Sequence, residues 1–466
     1  MAQISTKPAS GMRDFLPAQA RRRNHVFGII REVYESYGFE PLETPSMERL
    51  STLLGKYGDE GDQLVFKVMK RGNKFEKARN RCQGGEDLSE VDFADMGLRY
   101  DLTVPLARIV AQYQNDLPAI FKRYQMAPVW RADRPQRGRF REFYQCDVDV
   151  IGSTSMTVEA EVAGALSEVL GRLGFEKFRI HINHRQLLDA MLDNAGVPAK
   201  LRQDALVAID KMDKIGVEGV VKELNERGLS QSAIDGLMPL LEQAAEPAAQ
   251  VGEFDNEATL AALEAQVGHL ESGQTALREL RNVLAFASAG PAADHLYLDP
   301  SLARGLSYYT GPIFEIRSDD FAGSLGGGGR YDDLIGMFSK RSMPACGFSL
   351  GIERILVLLE ERGFMAEQSA GADVLVTLWN DDFTPNSFRL LNEFRQAGLR
   401  ADLYPDNDRM GKQFGYADER SIPFVAILAP DELEQGVVAI KDMKSGEQEK
   451  VARADVSEWI RARLAE

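Results

Sequence analysis

Arg131, Arg134, Arg137, Arg139 and Arg141 fall within eleven residues, and Asp133 is the only acid among them. Guanidinium groups are planar, permanently charged forks that meet phosphate or carboxylate oxygens in pairs, so clustering them equips a site for a polyanion. The stretch that carries them is FKRYQMAPVWRADRPQRGRFREFYQCDVDVIG, from Phe121 to Gly152. Apolar-rich, extended sequence flanks the arginines, while Pro135 and Gly138 favour a turn, so the pattern predicts strand, cationic loop, strand. Side chains alternate along a strand. From Arg139 onward, Arg139, Arg141, Phe143, Gln145, Asp147 and Asp149 share one face; Tyr144, Cys146, Val148 and Val150 share the other, which reads as the core side. The first face combines cationic forks, an aromatic plate, an amide and carboxylates, equipment for a polyanion, a flat base and a small polar molecule together. A nucleotide, a nucleic acid, a phosphosugar or a plain basic surface hairpin all satisfy the arginines taken alone.

Three other stretches carry polar residues worth placing. In LRYDLTVPLARIVAQY an extended LRYDLTV precedes Pro105 and a helix whose apolar side is Leu106, Ile109, Val110 and Tyr113. Asp101 and Thr103 share strand parity there; a carboxylate beside a hydroxyl suits an ammonium group, and a capping acid with a β-forming threonine is the plainer account. HLYLDPSLARGLSYYTGPIFEIRS reads as strand, with Arg304 and Tyr308 of like parity and Tyr309 adjacent. Paired tyrosines offer ring edges and hydroxyls to a planar polar ligand. The run Gly326, Gly327, Gly328 and Gly329 lacks the ending of a P-loop and the spacing of a dinucleotide fingerprint, so its use is clearance for a ligand or a neighbouring backbone. In GFSLGIERILVLLEERG, Gly347 to Leu350 reads as a strand leading into a helix with Arg354 in its first turn. Helix N-termini favour negative charge, so that arginine calls for a counter-anion nearby. His181 and His184 are too few to define a metal set.

The elements that must position these residues span 466 residues, enough for two or three domains. A net charge of −16 argues against non-specific nucleic-acid binding by the whole surface but leaves local basic patches open. Cys82, Cys146 and Cys346 are widely separated, no signal peptide precedes the first elements, and no apolar run reaches membrane-spanning length, so a cytoplasmic protein is expected. Val26, Ile29, Ile30, Val33 and Tyr37 mark a helix that Gly38 ends, and FEPLETPSMERL follows as an extended segment suited to an edge or interface. Residues 70–97 are polar and charged and read as a flexible excursion or a loop that orders on binding. Residues 190–290 read as a helical insertion, and after 362–371 strands and helices alternate in an α/β module.

Taken together the chain resembles the histidyl-tRNA synthetases, a family of class II aminoacyl-tRNA synthetases, from GMRDFLP through the terminal module. ARGLSYYTG, GGGGRYDDL and the hairpin ending in REFYQCDVD carry the likeness. GFSLGIERILVLL resembles the third general class II motif, and the segment ending near Pro45 resembles the first, which in the family lies at a homodimer interface. The resemblance implies an α+β catalytic domain built on an antiparallel sheet flanked by helices, in two parts (1–189 and 291–361). A helical insertion (190–290), a linker (362–371) and an anticodon-binding α/β domain (372–466) complete it. It implies ATP-dependent attachment of L-histidine to tRNA-His through histidyl-adenylate, with Mg2+ accompanying ATP and with pyrophosphate and AMP released.

Carried over residue by residue, Asp101 and Thr103 would contact the α-amino group of histidine, and Gln145 and Asp149 would complete that site. Tyr308 and Tyr309 would recognise the imidazole. Arg131 would grip the α-phosphate, Phe143 would stack on adenine, and Arg139 and Arg354 would hold the outer phosphates or the adenine end of ATP. Arg304 would stabilise charge as the histidine carboxylate attacks. Ser307 stands where many members carry an acid, and Asp101 and Asp149 where some carry glutamate. The family's non-catalytic relative, a regulatory subunit of the first enzyme of histidine biosynthesis, would be expected to lack the full arginine set or the last module; this chain has both.

Overall fold

The computed structural model describes residues 4–55, 58–245, 255–303, 308–339, 341–363 and 371–464. Its strands in chain order are β1 (Glu40–Pro41), β2 (Met47–Arg49), β3 (Lys67–Met69), β4 (Ala94–Leu98), β5 (Phe121–Trp130), β6 (Glu142–Ile151), β7 (Phe178–His184), β8 (Leu296–Leu298), β9 (Pro312–Ser318), β10 (Phe321–Arg330) and β11 (Ala345–Gly351). A second group comprises β12 (Val374–Val376), β13 (Ala401–Leu403), β14 (Phe424–Ile427), β15 (Val437–Asp442) and β16 (Gln448–Ala452). The largest sheet has the order β1-β5-β6-β11-β10-β9-β7-β8. Its pairings from β5 to β7 are antiparallel, and the short β1 and β8 add parallel edges. This is the expected α+β architecture, with β1 at an edge where Pro41 costs no ladder bond.

The residues form two compact units, Met1–Arg13 with Val26–Glu361, and Asp14–His25 with Arg362–Glu466. In the first, the helix Thr157–Arg172 packs an apolar side that includes Val158, Val162, Leu166 and Val169, all buried. Its Glu159 receives a two-pronged bond from Arg330, at 2.7 and 2.9 Å, which ties the end of the glycine strand β10 to that helix. Between β7 and β8 the described chain is helical, from Arg185–Asn194 to Glu271–Ala287. The second unit holds the sheet β13-β12-β14-β15-β16, parallel across β13, β12 and β14 and antiparallel beyond, over a core that includes Val376, Leu390, Phe394 and Ile460. No helix among the described residues is long and apolar enough to cross a membrane.

Two expectations need correction. Residues 70–97 are ordered: the helices Asn73–Gln83 and Glu90–Phe93 lead into β4, the centre of a small sheet of order β2-β4-β3. Local chemistry explains it. Ser89 and Asp92 form a capping box, Arg81 pairs with Glu86 and Asp92, and the Phe75 and Phe93 rings meet at 6.4 Å. LRYDLTV is not extended throughout either. The strand ends at Leu98 and a helix starts at Thr103, with Pro105 in its first turn, where a missing N–H costs nothing.

The glycine run does provide clearance, and for backbone first of all. A Cβ at Gly328 would lie 2.1 Å from the Gly347 carbonyl oxygen on β11. Gly347 is in turn pressed against β6, where a Cβ would lie 1.8 Å from Asp149 Oδ1. Gly347→Ala is therefore expected to lower stability by about 1–3 kcal/mol. Gly171→Ala, at an exposed helical position with nothing within 4 Å of the added carbon, should instead raise it by about 0.5–1 kcal/mol. Denaturant midpoints for the two variants check both signs.

Candidate active site

β5 and β6 form the predicted hairpin, and 131–141 is the cationic loop between them. Hydrogen bonds between Gln136 and Arg139, at 2.9 and 3.0 Å, close its tip, while Gly138 takes a φ of +69°. The loop, the face of β6 and the glycine strand border one cavity of about 520 Å³. Lining it are Asp101, Thr103, Arg131, Arg139, Phe143, Gln145, Asp149, Tyr308, Tyr309 and Arg354, ten of the site residues expected from sequence. Arg304 and Ser307 lie outside the described residues. The parity reading holds along β6, since Phe143, Gln145, Asp147 and Asp149 all face the cavity. Arg141 does not line it; its Nε donates to the Asp133 carbonyl at 3.0 Å and supports the loop.

The cavity has a cationic wall. Arg131 donates to the Tyr100 carbonyl at 3.1 Å, and its guanidinium stands 4.3 Å from the Tyr100 ring centroid and 5.1 Å from that of Phe143. Arg139 is held by Asp133 through bonds of 2.8 and 3.0 Å, giving the lone acid of the cluster a positioning job. Arg354 donates to the Ser324 carbonyl. Burial and the neighbouring Arg139 hold its basicity below the usual arginine value, with Glu315 pulling the other way. Among the described residues no carboxylate lies within ion-pair distance of Arg131 or Arg354. Among the described residues none supplies the counter-anion that the sequence called for at Arg354.

The floor is acidic. Arg123, fully buried on β5, pairs with Asp149 at 2.6 Å, and Tyr331 donates its hydroxyl to the other Asp149 oxygen. Burial pushes the Asp149 carboxyl up, and Arg123 and Tyr331 pull it back. Burial likewise raises Asp147 to about 7, against the opposing pull of Arg123. Gln145 donates to Ser349 Oγ at 2.7 Å, and its Oε1 is buried without a hydrogen-bond partner. Asp101 accepts from the Val104 N–H at 3.1 Å, so it both caps its helix and lines the cavity. Tyr308 and Tyr309, on the connection between β8 and β9 rather than in a strand, hold their rings 4.8 Å apart.

Sequence reading missed Arg123, Tyr331, Ser349, Glu315 and Asp210, and left Asp147 out of the site. Parity could have found Ser349, which shares a face with Gly347 and Gly351. Arg123 needed the register with Asp149, and Asp210 comes from the helical region between β7 and β8, which no local pattern ties to the cavity.

A chemically coherent arrangement follows: a cationic wall on one side for a phosphate chain, buried acceptors on the other for a cationic or N–H-rich ligand. The family model described as histidyl-tRNA synthetase matches residues 11–75 and 89–355, and an anticodon binding domain matches 373–463. The histidine–tRNA ligase of Christiangramia forsetii is 42% identical over 454 residues, covering 96% of this chain and 97% of that protein. That of Phocaeicola vulgatus is 41% identical over 98% of this chain and 100% of its own length. The crystal structure of histidyl-tRNA synthetase from Nostoc superposes with a TM-score of 0.82 at 30% identity, covering 99% of this chain and all of the other.

Removing Arg123 leaves two acids buried without their cation, so Arg123→Leu should cost about 3–5 kcal/mol near neutral pH. The sign with pH is fixed by Asp147. Its folded value of about 7 exceeds the unfolded ~3.9. Between the two the folded state binds the extra proton, so stability falls as pH rises. Loss of Arg123 steepens that fall, and urea midpoints at about pH 5 and about pH 8 should show a smaller penalty at the acid end.

Proposed function

The chain belongs to the histidyl-tRNA synthetase family, and from that premise we propose that the cavity is where ATP and histidine are brought together. The activity is the ATP-dependent attachment of L-histidine to tRNA-His through a histidyl-adenylate. The observation that supports this use of the cavity is that Arg131 and Arg354, which have no carboxylate within ion-pair distance among the described residues, face a buried acidic floor.

A carboxylate is already a nucleophile at neutral pH, so adenylate formation needs no strong base. It needs two anions held together and charge stabilised at phosphorus. In our reading Arg131 grips the α-phosphate, its place fixed between the Tyr100 and Phe143 rings. Phe143 carries the adenine, and Arg139 and Arg354 hold the rest of the triphosphate. Mg2+ bound with ATP would supply charge neutralisation on the pyrophosphate side, and Glu315, which lines the cavity and pairs with Arg317, would be one carboxylate able to hold it. The histidine carboxylate attacks the α-phosphorus with Arg304 offsetting the charge, and pyrophosphate leaves. A terminal ribose hydroxyl of the tRNA then attacks the activated carbonyl and AMP leaves.

Asp101, Thr103 and Gln145 hold the α-ammonium group, while Asp149, Tyr308 and Tyr309 read the imidazole. Asp149 is clamped by Arg123 and Tyr331, and a ligand without ring N–H groups leaves buried polar atoms unpaired, a stronger filter than size. We also assign reading of the anticodon to the module matched over 373–463, contact with the acceptor arm to the helical region 190–290, a homodimer joined near the β1 segment, and a cytoplasmic location.

ATP–pyrophosphate exchange with each amino acid in turn tests the reading. Exchange with histidine alone is expected, and exchange with none would point to a binding or regulatory relative instead. Arg131→Ala should lower histidine-dependent exchange by about 10²–10³-fold without changing the denaturant midpoint by more than a surface substitution does.

A further inference from the structure

The segment 9–13 lies against the cationic loop. The Met12 N–H donates to the Ala9 carbonyl at 3.0 Å, closing a turn in which Gly11 takes a φ of +81°. The Gly11 carbonyl then accepts the Arg141 N–H at 2.8 Å. On its other side the Arg141 carbonyl accepts the Arg131 N–H at 2.9 Å, and its Nε donates to the Asp133 carbonyl. The Asp133 carboxylate in turn holds Arg139. Both Arg131 and Arg139 are therefore reached from a single turn of backbone. The fit there is close: a Cβ at Gly11 would lie 2.7 Å from Arg141 Cγ.

Arg13 adds a second hold. Its guanidinium stands 3.4 Å from the Phe140 ring centroid, and it pairs with Glu353. Glu353 is buried in the first turn of the helix Ile352–Glu361, and its other oxygen accepts the Tyr144 N–H at 3.3 Å. Phe140 and Glu353 line the cavity, whereas Arg13 does not. From behind the cavity wall, Arg13 thus joins the end of the loop to the start of β6 beside Phe143 and to the helix turn that carries Arg354.

We propose that Arg13 is a positioning residue for ATP: with Gly11 it makes the segment 11–13 a brace that sets the cationic loop where Arg131, Arg139 and Phe143 meet the nucleotide. The proposal rests on the reading of that end of the cavity as the ATP site and adds what holds it in place. A loop carrying five arginines pays backbone entropy to keep one geometry, and its like charges push it open. Two backbone bonds in series, a ring contact and an ion pair oppose both before any triphosphate arrives. The acceptors for histidine stand on β6 and ahead of the helix Thr103–Gln112, and none of these four contacts reaches them.

The test measures KM for ATP and KM for histidine separately by ATP–pyrophosphate exchange, each with the other substrate saturating. Arg13→Ala should raise KM for ATP about tenfold and leave KM for histidine within about twofold. Removing Arg13 also takes a cation from buried Glu353, so Arg13→Ala combined with Glu353→Gln decides between bracing and simple charge neutralisation. Bracing keeps KM for ATP about tenfold high in that double variant; its return to the unmodified value would overturn the proposal. Gly11→Ala, which displaces Arg141 without touching Arg13 or Glu353, should raise KM for ATP to a similar extent, and an unchanged value there would also overturn it. Equal rises in both KM values, or a fall in kcat with neither KM altered, would reduce the segment to a support of the fold as a whole. Gly11→Ala decides alone if Arg13→Ala does not fold. Absence of exchange with histidine in the unmodified protein would instead overturn the assignment of the cavity.

Discussion

The cavity depends on one buried cation. Arg123 is fully buried in the middle of β5 and faces Asp149 across the β5–β6 register. An unpaired carboxylate in such a place would neutralise itself or unfold its surroundings. With Arg123 beneath them, Asp149 and Asp147 can line a floor from which water is largely excluded. The same geometry sets what the next strand can carry. Gly347 must lack a Cβ because Asp149 occupies the space, and Gly328 must lack one because Gly347 has come that close. A cation on one strand therefore constrains residue choice three strands away, which is why the arginine hairpin and the glycine run belong to one structure.

Electrostatics divides the cavity into ends with different jobs. On the loop side, Arg131 and Arg354 keep their charge without a protein anion among the described residues, whereas Arg139 is lent to Asp133. Like-charged guanidinium groups held this close raise the energy of the empty site, and burial already disfavours the charge of Arg354. A triphosphate relieves both costs when it binds. On the floor side two acids are held by protein donors: Asp149 by Tyr331, Asp101 by the Val104 amide. Their acceptor orbitals are thus aimed in advance, the condition for catalysis by preorganised charge. A net charge of −16 says nothing of this local order.

What was legible in the sequence was whatever depends on alternation and turn chemistry. The hairpin, its loop and the inward face of β6 followed from parity, and ten expected side chains do meet in the cavity. What was illegible depends on register between distant strands. Nothing near Arg123 distinguishes it from a surface arginine, because its partner lies 26 residues on and meets it only through the pairing of β5 with β6. Residues 70–97 misled for the opposite reason. Their composition is that of a flexible segment, but capping and a ring pair supply the order that burial does not. LRYDLTV misled because Pro105 was read as a barrier ahead of a helix, when the first turn of a helix admits it.

Asp101 shows why a plain structural account and a functional one need not compete. Its carboxylate accepts the Val104 N–H at the start of a helix, and it lines the cavity as well. Capping consumes one lone pair and fixes the side chain's direction, and a carboxylate has further acceptor sites beyond that one. The helix start thereby becomes the device that aims the acid. Asp133 does the same for Arg139, and Tyr331 for Asp149. In each case the bond that a stability argument would count is also the bond that holds a ligand-facing group still. Precision at this site is thus built from ordinary folding interactions, and a residue placed by such a bond cannot be assigned to structure alone on the ground that a structural role suffices.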